Sequence, residues 1–274
     1  MVNHVLEGNE LRGDPRATEG SGRPPVLWHL KVSHYNEKAR WALDFKRIPH
    51  IRRAAIPGRH AKIARGLGAG TTFPVLELDG EVIGDSTLII QELEGRYPEP
   101  PLYPDDAAER RRALAIEDFF DEELGPYLRR LVLQHMLPEP SLLLGAFTPD
   151  LSAPRRLTAR AIYPLIRRRI ARDFGIDRAG LEEAWQKCRR ACERFAAELA
   201  SSSYLVGERF TVADLTVAAL FSPVVAPRQF PYPQPQREHS RLADLRRMLD
   251  DRGALAWTRW IYEHHRPRSM AVVG

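Results

Sequence analysis

The stretch PVLWHLKVSHYNEKARWAL, residues 25–43, decides the fold because two periodicities meet inside it. Residues 26–32 are a short apolar run with β-branched ends, which predicts a strand, and residues 36–46 show helical spacing. The junction between them therefore places the first N–H groups of a helix, and the positive end of its dipole, beside the Ser33 hydroxyl. An anion is stabilised at such a junction. Serine is also a common helix N-cap, so a purely structural role for Ser33 is the alternative.

The segments that follow fit one topology. The helix must end before Pro49, and residues 50–56 then read as a second strand, which gives a right-handed βαβ unit with parallel strands. Residues 75–78 and 81–83 flank an Asp-Gly pair and predict a β-hairpin. A helix opening at 84–86 follows and completes the order βαβ–ββα.

This order of motifs resembles the thioredoxin-like N-terminal domain of the cytosolic glutathione transferases, over residues 25–104. The resemblance implies that Ser33, seven positions before Arg40, is the catalytic residue, as in the zeta- and theta-like classes; omega-like classes have cysteine there. It also implies that Phe73–Pro74 is a cis-proline dipeptide aligning the cysteinyl part of glutathione, and that Asp85 and Ser86 hold its γ-glutamyl end. The alternative for Pro74 is a trans proline at the start of an edge strand.

Some positions depart from the pattern of that family. His34 stands where many members have proline, Phe73 where valine is usual, and Asp85 where glutamate or glutamine is more frequent. These departures bear on the substrate class more than on glutathione binding. No motif identifies the anchor of the glycine carboxylate, so Lys62 is a glutathione-binding candidate by position, together with its neighbours at 59 and 60.

Composition limits the class of protein. A chain of 274 residues with 43% hydrophobic residues can bury an adequate core, and two domains fit the resemblance. Two cysteines provide no disulfide framework, and no apolar run is long enough for a signal peptide or membrane span, so we expect a cytoplasmic protein. Cys188 and Cys192 are four residues apart in a helical pattern, which favours core filling over a metal or redox site.

The rest of the chain predicts an α-helical domain. We expect a flexible extension at 1–24, the thioredoxin-like domain at 25–104 and an all-α domain at 105–274. The predicted helices cover 105–136 with a bend near 125–126, 155–174, 177–199, 241–249 and 254–264, with a connecting segment at 138–154 and a proline-rich loop at 223–235. Thr211 and Asp214 have capping-box spacing, with Phe210 able to pack onto Leu215, and this also resembles a motif of the family.

The net charge of +5 raises the question of nucleic acid. The arginine clusters lie on separate predicted helices and alternate with acidic residues, which is typical of solvated helix faces, so we expect neither a nucleic-acid partner nor a membrane partner.

Three functions are considered for this sequence. The first is a glutathione transferase that binds glutathione as the thiolate and uses it on a small electrophile, with no metal. The second is a glutathione-binding or interaction protein that keeps the fold without turnover. The third, a cysteine-dependent oxidoreductase, is disfavoured because residues 25–104 contain no cysteine. The resemblance also implies a homodimer.

Overall fold

The computed structural model describes residues 23–147, 152–199, 202–232 and 240–273. The predicted N-terminal extension, apart from residues 23 and 24, lies outside the described residues. The domain boundaries proposed above stay predictions.

Within the described residues, five strands form one mixed sheet in the order β4-β3-β1-β2-β5. The strands are β1 (Val26–His29), β2 (His50–Ala54), β3 (Val75–Leu78), β4 (Glu81–Gly84) and β5 (Ala271–Val272). Strand β1 pairs parallel with β2 and antiparallel with β3, and β3 forms the predicted hairpin with β4. This arrangement confirms the thioredoxin-like topology. Strand β5 was not predicted, and it pairs parallel with the outer edge of β2.

Three helices pack on this sheet: α1 (His34–Phe45), α2 (His60–Leu67) and α3 (Ser86–Arg96). Helix α2 was not predicted, because its eight residues HAKIARGL are too short a run to show a clear helical periodicity; only Ala64 is buried. It ends at Gly68, whose φ of 82° is readily adopted by glycine. The sequence-based order βαβ–ββα therefore lacked the helix that precedes β3.

The remaining helices form the predicted α-helical domain. They are α4 (Ala107–Glu123), α5 (Gly125–Met136), α6 (Pro140–Phe147), α7 (Ala153–Ala161), α8 (Tyr163–Asp173), α9 (Arg178–Leu199), α10 (Val212–Val225), α11 (Ser240–Asp250) and α12 (Ala254–His265). The predicted break in the first long helix is present, since α4 gives way to α5 at Leu124.

Three sequence-based assignments in this region were wrong. The connecting segment at 138–154 contains α6, and the single helix at 155–174 is divided into α7 and α8 at Ile162, just before Pro164. The proline-rich loop was also placed too early, because Pro223 lies inside the last turn of α10. Residues 233–235 of that loop are outside the described part of the chain.

Helix α10 lies at the centre of the molecule, and nearly all of its residues are buried. Its start confirms the acidic half of the predicted capping box: the Asp214 carboxylate accepts hydrogen bonds from the backbone N–H groups of Thr211 at 2.9 Å and Leu205 at 2.8 Å. Phe210 stacks on Trp41 of α1 and thereby joins the two parts of the fold. Both cysteines are fully buried in this core, which confirms core filling.

The chain returns to the sheet at its C-terminal end. Arg266, directly after α12, donates to Glu37 at 2.7 Å and lies 2.8 Å from Asp44, and both carboxylates are fully buried on α1. The backbone N–H of Met270 donates to Asp44 at 2.7 Å, and β5 follows at once. We call this segment, residues 266–272, the C-terminal clasp.

No helix of the described residues is long and apolar enough to cross a membrane.

Candidate functional site

Strand pairing brings the predicted site residues to one end of the sheet. The register pairs Trp28 with Val75 and Val75 with Gly84. The end of β1, the start of β3 and the end of β4 are therefore neighbours. A predicted site segment is close to each of them: Phe73–Pro74 directly precedes β3, Asp85–Ser86 directly follows β4, and Ser33 is four residues beyond the end of β1.

Ser33 is the N-cap of α1, and its hydroxyl oxygen is held by Asn36. The Asn36 side-chain amide donates to Ser33 Oγ at 2.8 Å, and the Asn36 backbone N–H donates to the same oxygen at 3.4 Å. Because the oxygen accepts both bonds, the hydroxyl hydrogen is available to donate to another group. Ser33 therefore does cap the helix, which is the structural role considered from the sequence. Its hydroxyl still has a hydrogen to donate.

Asn36 also connects Ser33 to the cis-proline segment. Its amide donates to the Phe73 carbonyl at 3.1 Å, and its carbonyl oxygen accepts from the Leu30 N–H at 2.8 Å. The Phe73–Pro74 bond is cis, as the resemblance implied. Asn36 is fully buried. Sequence analysis missed this residue, although a buried asparagine three positions after a helix-capping serine is suited to bridging separate segments.

Tyr35 provides a second hydroxyl near the junction, but its surroundings keep this hydroxyl protonated and its proton is already engaged in a hydrogen bond. It donates to the backbone carbonyl of Asp121 at 2.6 Å, and burial followed by the nearby Asp121 carboxylate raises its pKa. Its hydroxyl lies against Gly125 at the break between α4 and α5, where a Cβ would be 2.1 Å from the Tyr35 oxygen. Tyr35 therefore joins the site to the helical domain.

Gly125→Ala should destabilise the protein by about 1–3 kcal/mol, because the added methyl group overlaps Tyr35 in a packed interior. Chemical denaturation measures the loss. Gly95→Ala is the matched control, since a Cβ at this helical glycine meets nothing within 4 Å and alanine favours the helix. Equal stability of the Gly125 and Gly95 variants would contradict the contact.

Asp85 and Ser86 begin α3. The Asp85 carboxylate caps the helix by accepting from the backbone N–H groups of Thr87 at 2.8 Å and Leu88 at 3.3 Å. Asp85 has a φ of 73°, a conformation that non-glycine residues adopt at a cost of order 1 kcal/mol and that is found often at functional sites. Ser86 is buried at the first helical position. The pair thus presents a helix N-terminus towards the sheet end.

A buried ionic cluster lies behind this end of the sheet. Lys38 is 3.0 Å from Glu117, also pairs with Asp121, and donates to the Thr87 hydroxyl at 3.2 Å. Burial alone would lower the pKa of Lys38, but the two carboxylates outweigh it and raise the pKa. Burial raises the pKa of Glu117 and of Asp121 despite Lys38, because one cation serves two carboxylates. Lys38 is therefore fully neutralised within the protein.

The remaining candidate, Lys62, is exposed on α2. Its neighbour His60 lies closer to the site, because its ring centroid is 5.9 Å from that of Phe73 in an edge-on contact. A role for Lys62 in binding stays a prediction, as do the roles of Ser33, Phe73, Pro74, Asp85 and Ser86. Among the described residues, no three metal-binding side chains cluster together.

Two family models match the chain, and the first of them covers all of the predicted site residues described above. The model of the glutathione S-transferase N-terminal domain matches residues 27–101, and that of the C-terminal domain matches residues 178–250, together more than half of the chain. The chain belongs to the glutathione S-transferase family. This membership confirms the resemblance stated from the motifs of residues 25–104.

Two curated proteins that are similar in sequence to this member of the glutathione S-transferase family are named as isomerases. A maleylpyruvate isomerase from Ralstonia is 31% identical over 113 residues, which are 40% of this chain and 52% of that protein. A probable maleylacetoacetate isomerase from Caenorhabditis elegans is 25% identical over 232 residues, or 82% of this chain and 91% of that protein. The first match thus spans about half the length of the relative.

Solved structures confirm the transferase fold. A glutathione S-transferase from Methylobacillus flagellatus, solved with glutathione bound, has a TM-score of 0.57 and 20% identity, covering 88% of this chain and 95% of its own. A β-etherase from Sphingobium has a TM-score of 0.56 and 18% identity, covering 88% and 99%. At this identity the comparisons establish the fold alone.

Proposed function

We propose that the protein binds glutathione as the thiolate at the junction of β1 and α1 and uses it on a small electrophile. The observation that carries the proposal is the pair of hydrogen bonds from Asn36 into Ser33 Oγ, which leave the hydroxyl hydrogen as a donor beside the N-terminus of α1. A hydrogen bond to the charged form of a thiol and the partial positive charge of the helix both lower the thiol pKa.

The rest of the site would orient the tripeptide. The Phe73 backbone beside the cis bond would align the cysteinyl part, and Ser86 with the N-terminus of α3 would receive the γ-glutamyl carboxylate. Lys62 is the proposed contact of the glycine carboxylate. Fixing the thiolate in this way places it for attack on a bound electrophile.

The hydroxyl of Ser33 is preferred over that of Tyr35 as the thiolate's partner. The Tyr35 proton is already donated to the Asp121 carbonyl. A phenol whose pKa is raised by burial also retains its proton, and the Tyr35 hydroxyl lies against Gly125 of the helical domain.

Isomerisation is the second candidate reaction, because both curated relatives described above are named as isomerases. In an isomerisation glutathione would be regenerated rather than consumed. We further propose a cytoplasmic homodimer that needs no metal and has neither a nucleic-acid partner nor a membrane partner.

Ser33→Ala should raise the pKa of the bound glutathione thiol by one to two units and lower turnover near neutral pH. The reason is that a hydrogen bond to an ionised group contributes roughly 1.5–3 kcal/mol, and one pKa unit corresponds to about 1.4 kcal/mol. Thiolate ultraviolet absorbance of the glutathione complex, titrated against pH, measures the shift.

Ser86→Ala is the matched control for this titration. It should weaken glutathione binding by about 1.5–3 kcal/mol through the γ-glutamyl carboxylate while leaving the thiol pKa unchanged. Coinciding titration midpoints for the wild type and Ser33→Ala, with glutathione still bound, would reduce Ser33 to a helix cap. Absence of glutathione binding at millimolar concentration would remove the proposed function altogether.

A further inference from the structure

Arg129 on α5 is a cation that has no acidic partner among the described residues. It lies one turn after Gly125 on α5, and its guanidinium carbon is 6.0 Å from the ring centroid of Tyr35 and 4.9 Å from that of Phe174. Its Nε is buried and makes no hydrogen bond within the described part of the chain. Burial lowers its pKa more than any neighbouring charge changes it.

The neighbouring Arg130 shows what a structural arginine looks like in this helix. It donates to the carbonyls of Phe174 and Gly180 at 2.9 and 2.7 Å and lies 2.9 Å from Glu183. Lys38, a second buried cation near His34, is neutralised by two carboxylates. Arg129 thus differs from both cations, since among the described residues it has aromatic contacts but no acidic partner.

His34, which contacts the same Tyr35 ring, adds a second group without a hydrogen-bond partner among the described residues. Its ring centroid is 4.6 Å from that of Tyr35, its exposed fraction is 3%, and its Nε2 is buried without a hydrogen-bond partner among the described residues. Burial, and then the charges of Arg129 and Lys38, lower its pKa to about 3. The neutral imidazole and the Arg129 guanidinium both contact the Tyr35 ring, and the Arg129 charge acts on the imidazole.

A buried cation and a buried polar nitrogen are costly when they remain unpaired, and structures normally satisfy both. We propose that Arg129, assisted by His34, binds a carboxylate group carried by the electrophile. The planar guanidinium is suited to a carboxylate because it donates two parallel hydrogen bonds. This inference rests on the proposed function and specifies its substrate class: small electrophiles bearing a carboxylate.

The carboxylate could in principle come from glutathione itself, through its glycine end. The placement of Arg129 favours the electrophile. It contacts Phe174 of the helical domain as well as Tyr35, whereas Ser33, Phe73 and Ser86, which are proposed to bind glutathione, lie at one end of the sheet. The experiment below separates the two sources.

The test compares 4-chloro-3-nitrobenzoate, which carries a carboxylate, with its methyl ester, which does not. Because the ester also activates the ring more strongly, the effect of each variant is measured relative to the wild type on the same electrophile. In the wild type we expect a lower KM for the carboxylate than for the ester. Arg129→Met should raise the KM for the carboxylate by about 10- to 150-fold, the loss expected for a charged hydrogen bond, and leave the KM values for the ester and for glutathione unchanged. Arg129→Lys, which keeps the charge but lacks the two parallel donors of the guanidinium, should give an intermediate increase in the KM for the carboxylate.

Arg111→Met is the control for net charge, because Arg111 is exposed on α4. An equal loss for both electrophiles, or no loss for either, would overturn the proposal. Weakened glutathione binding in Arg129→Met would also overturn it and would assign the arginine to the glycine carboxylate.

A second measurement keeps the proposal testable without turnover. If the wild type binds glutathione but transforms neither electrophile, calorimetric titration of 3-nitrobenzoate into the S-methylglutathione complex replaces kinetics. Binding that is lost in Arg129→Met supports the carboxylate site, and no binding to the wild type overturns it. Failure of the proposed function is distinguishable, because it appears as absence of glutathione binding by the wild type.

Discussion

Arg266→Met should lower the free energy of unfolding by about 3–5 kcal/mol, the usual cost of removing one partner from a buried ion pair. Arg266 lies between Glu37 and Asp44, and both carboxylates have no exposed side-chain area. Their other partners, Arg40 and Arg52, remain in the variant but each already serves one carboxylate. Loss of Arg266 therefore leaves buried negative charge only partly compensated.

Denaturant unfolding of the full chain measures this effect. Arg268→Met is the matched control, because Arg268 lies two residues further along in the same clasp and is exposed. We expect this control to change stability by no more than about 0.5 kcal/mol. A change below 1 kcal/mol in Arg266→Met would show that the clasp contributes little to stability.

The second large effect is a loss of stability in mild acid caused by two buried histidines. Burial, and then the Arg40 charge, lower the pKa of His29 to about 2, and burial lowers that of His34 to about 3. Arg40 donates to His29 Nδ1 at 3.0 Å, so Nδ1 accepts and the ring is neutral, with Nε2 donating to the Tyr232 hydroxyl at 3.2 Å.

The direction of the pH effect follows from these lowered values. Below pH 6.5 the unfolded chain binds protons at both histidines while the folded chain does not, so the stability present above pH 6.5 is lost as the pH falls. Each histidine contributes at most about 1.4 kcal/mol per pH unit, which gives roughly 3 kcal/mol for the pair between pH 6.5 and 5.

Comparison with His29→Gln/His34→Gln isolates this contribution. Burial raises the pKa values of Glu117 and Asp121, and their titration therefore changes stability in the opposite direction. The quantity to measure is the difference between wild type and variant in the slope of the free energy of unfolding against pH. His264→Gln, at an exposed position, is the control. Parallel stability curves for wild type and double variant between pH 7.5 and 5 would contradict the assignment.

Sequence reasoning succeeded where the signal is local. The strand and helix around Ser33, the hairpin at Asp79–Gly80, the cap of α10 and the break near Gly125 each follow from a few adjacent residues. The cis bond at Phe73–Pro74 came only from the family resemblance.

The features that sequence reasoning missed depend on contacts between distant segments. Strand β5 has two residues, too few to show any periodicity, and exists because β2 offers an edge. Arg129 has no motif to separate it from Arg130, and only their different partners in the fold do so. Asn36 acts through Phe73, which is 37 positions away.

The C-terminal clasp also bears on how the chain is made. Glu37 and Arg266 are 229 positions apart, so at 5–20 residues per second the ribosome needs roughly 10–50 s to supply the arginine after the glutamate. During that interval the nascent sheet has an open edge at β2, and Glu37 and Asp44 on α1 each have one arginine partner instead of two. Completion of the sheet therefore waits for the segment that follows the helices, and sheet and helices mature together as one folding unit.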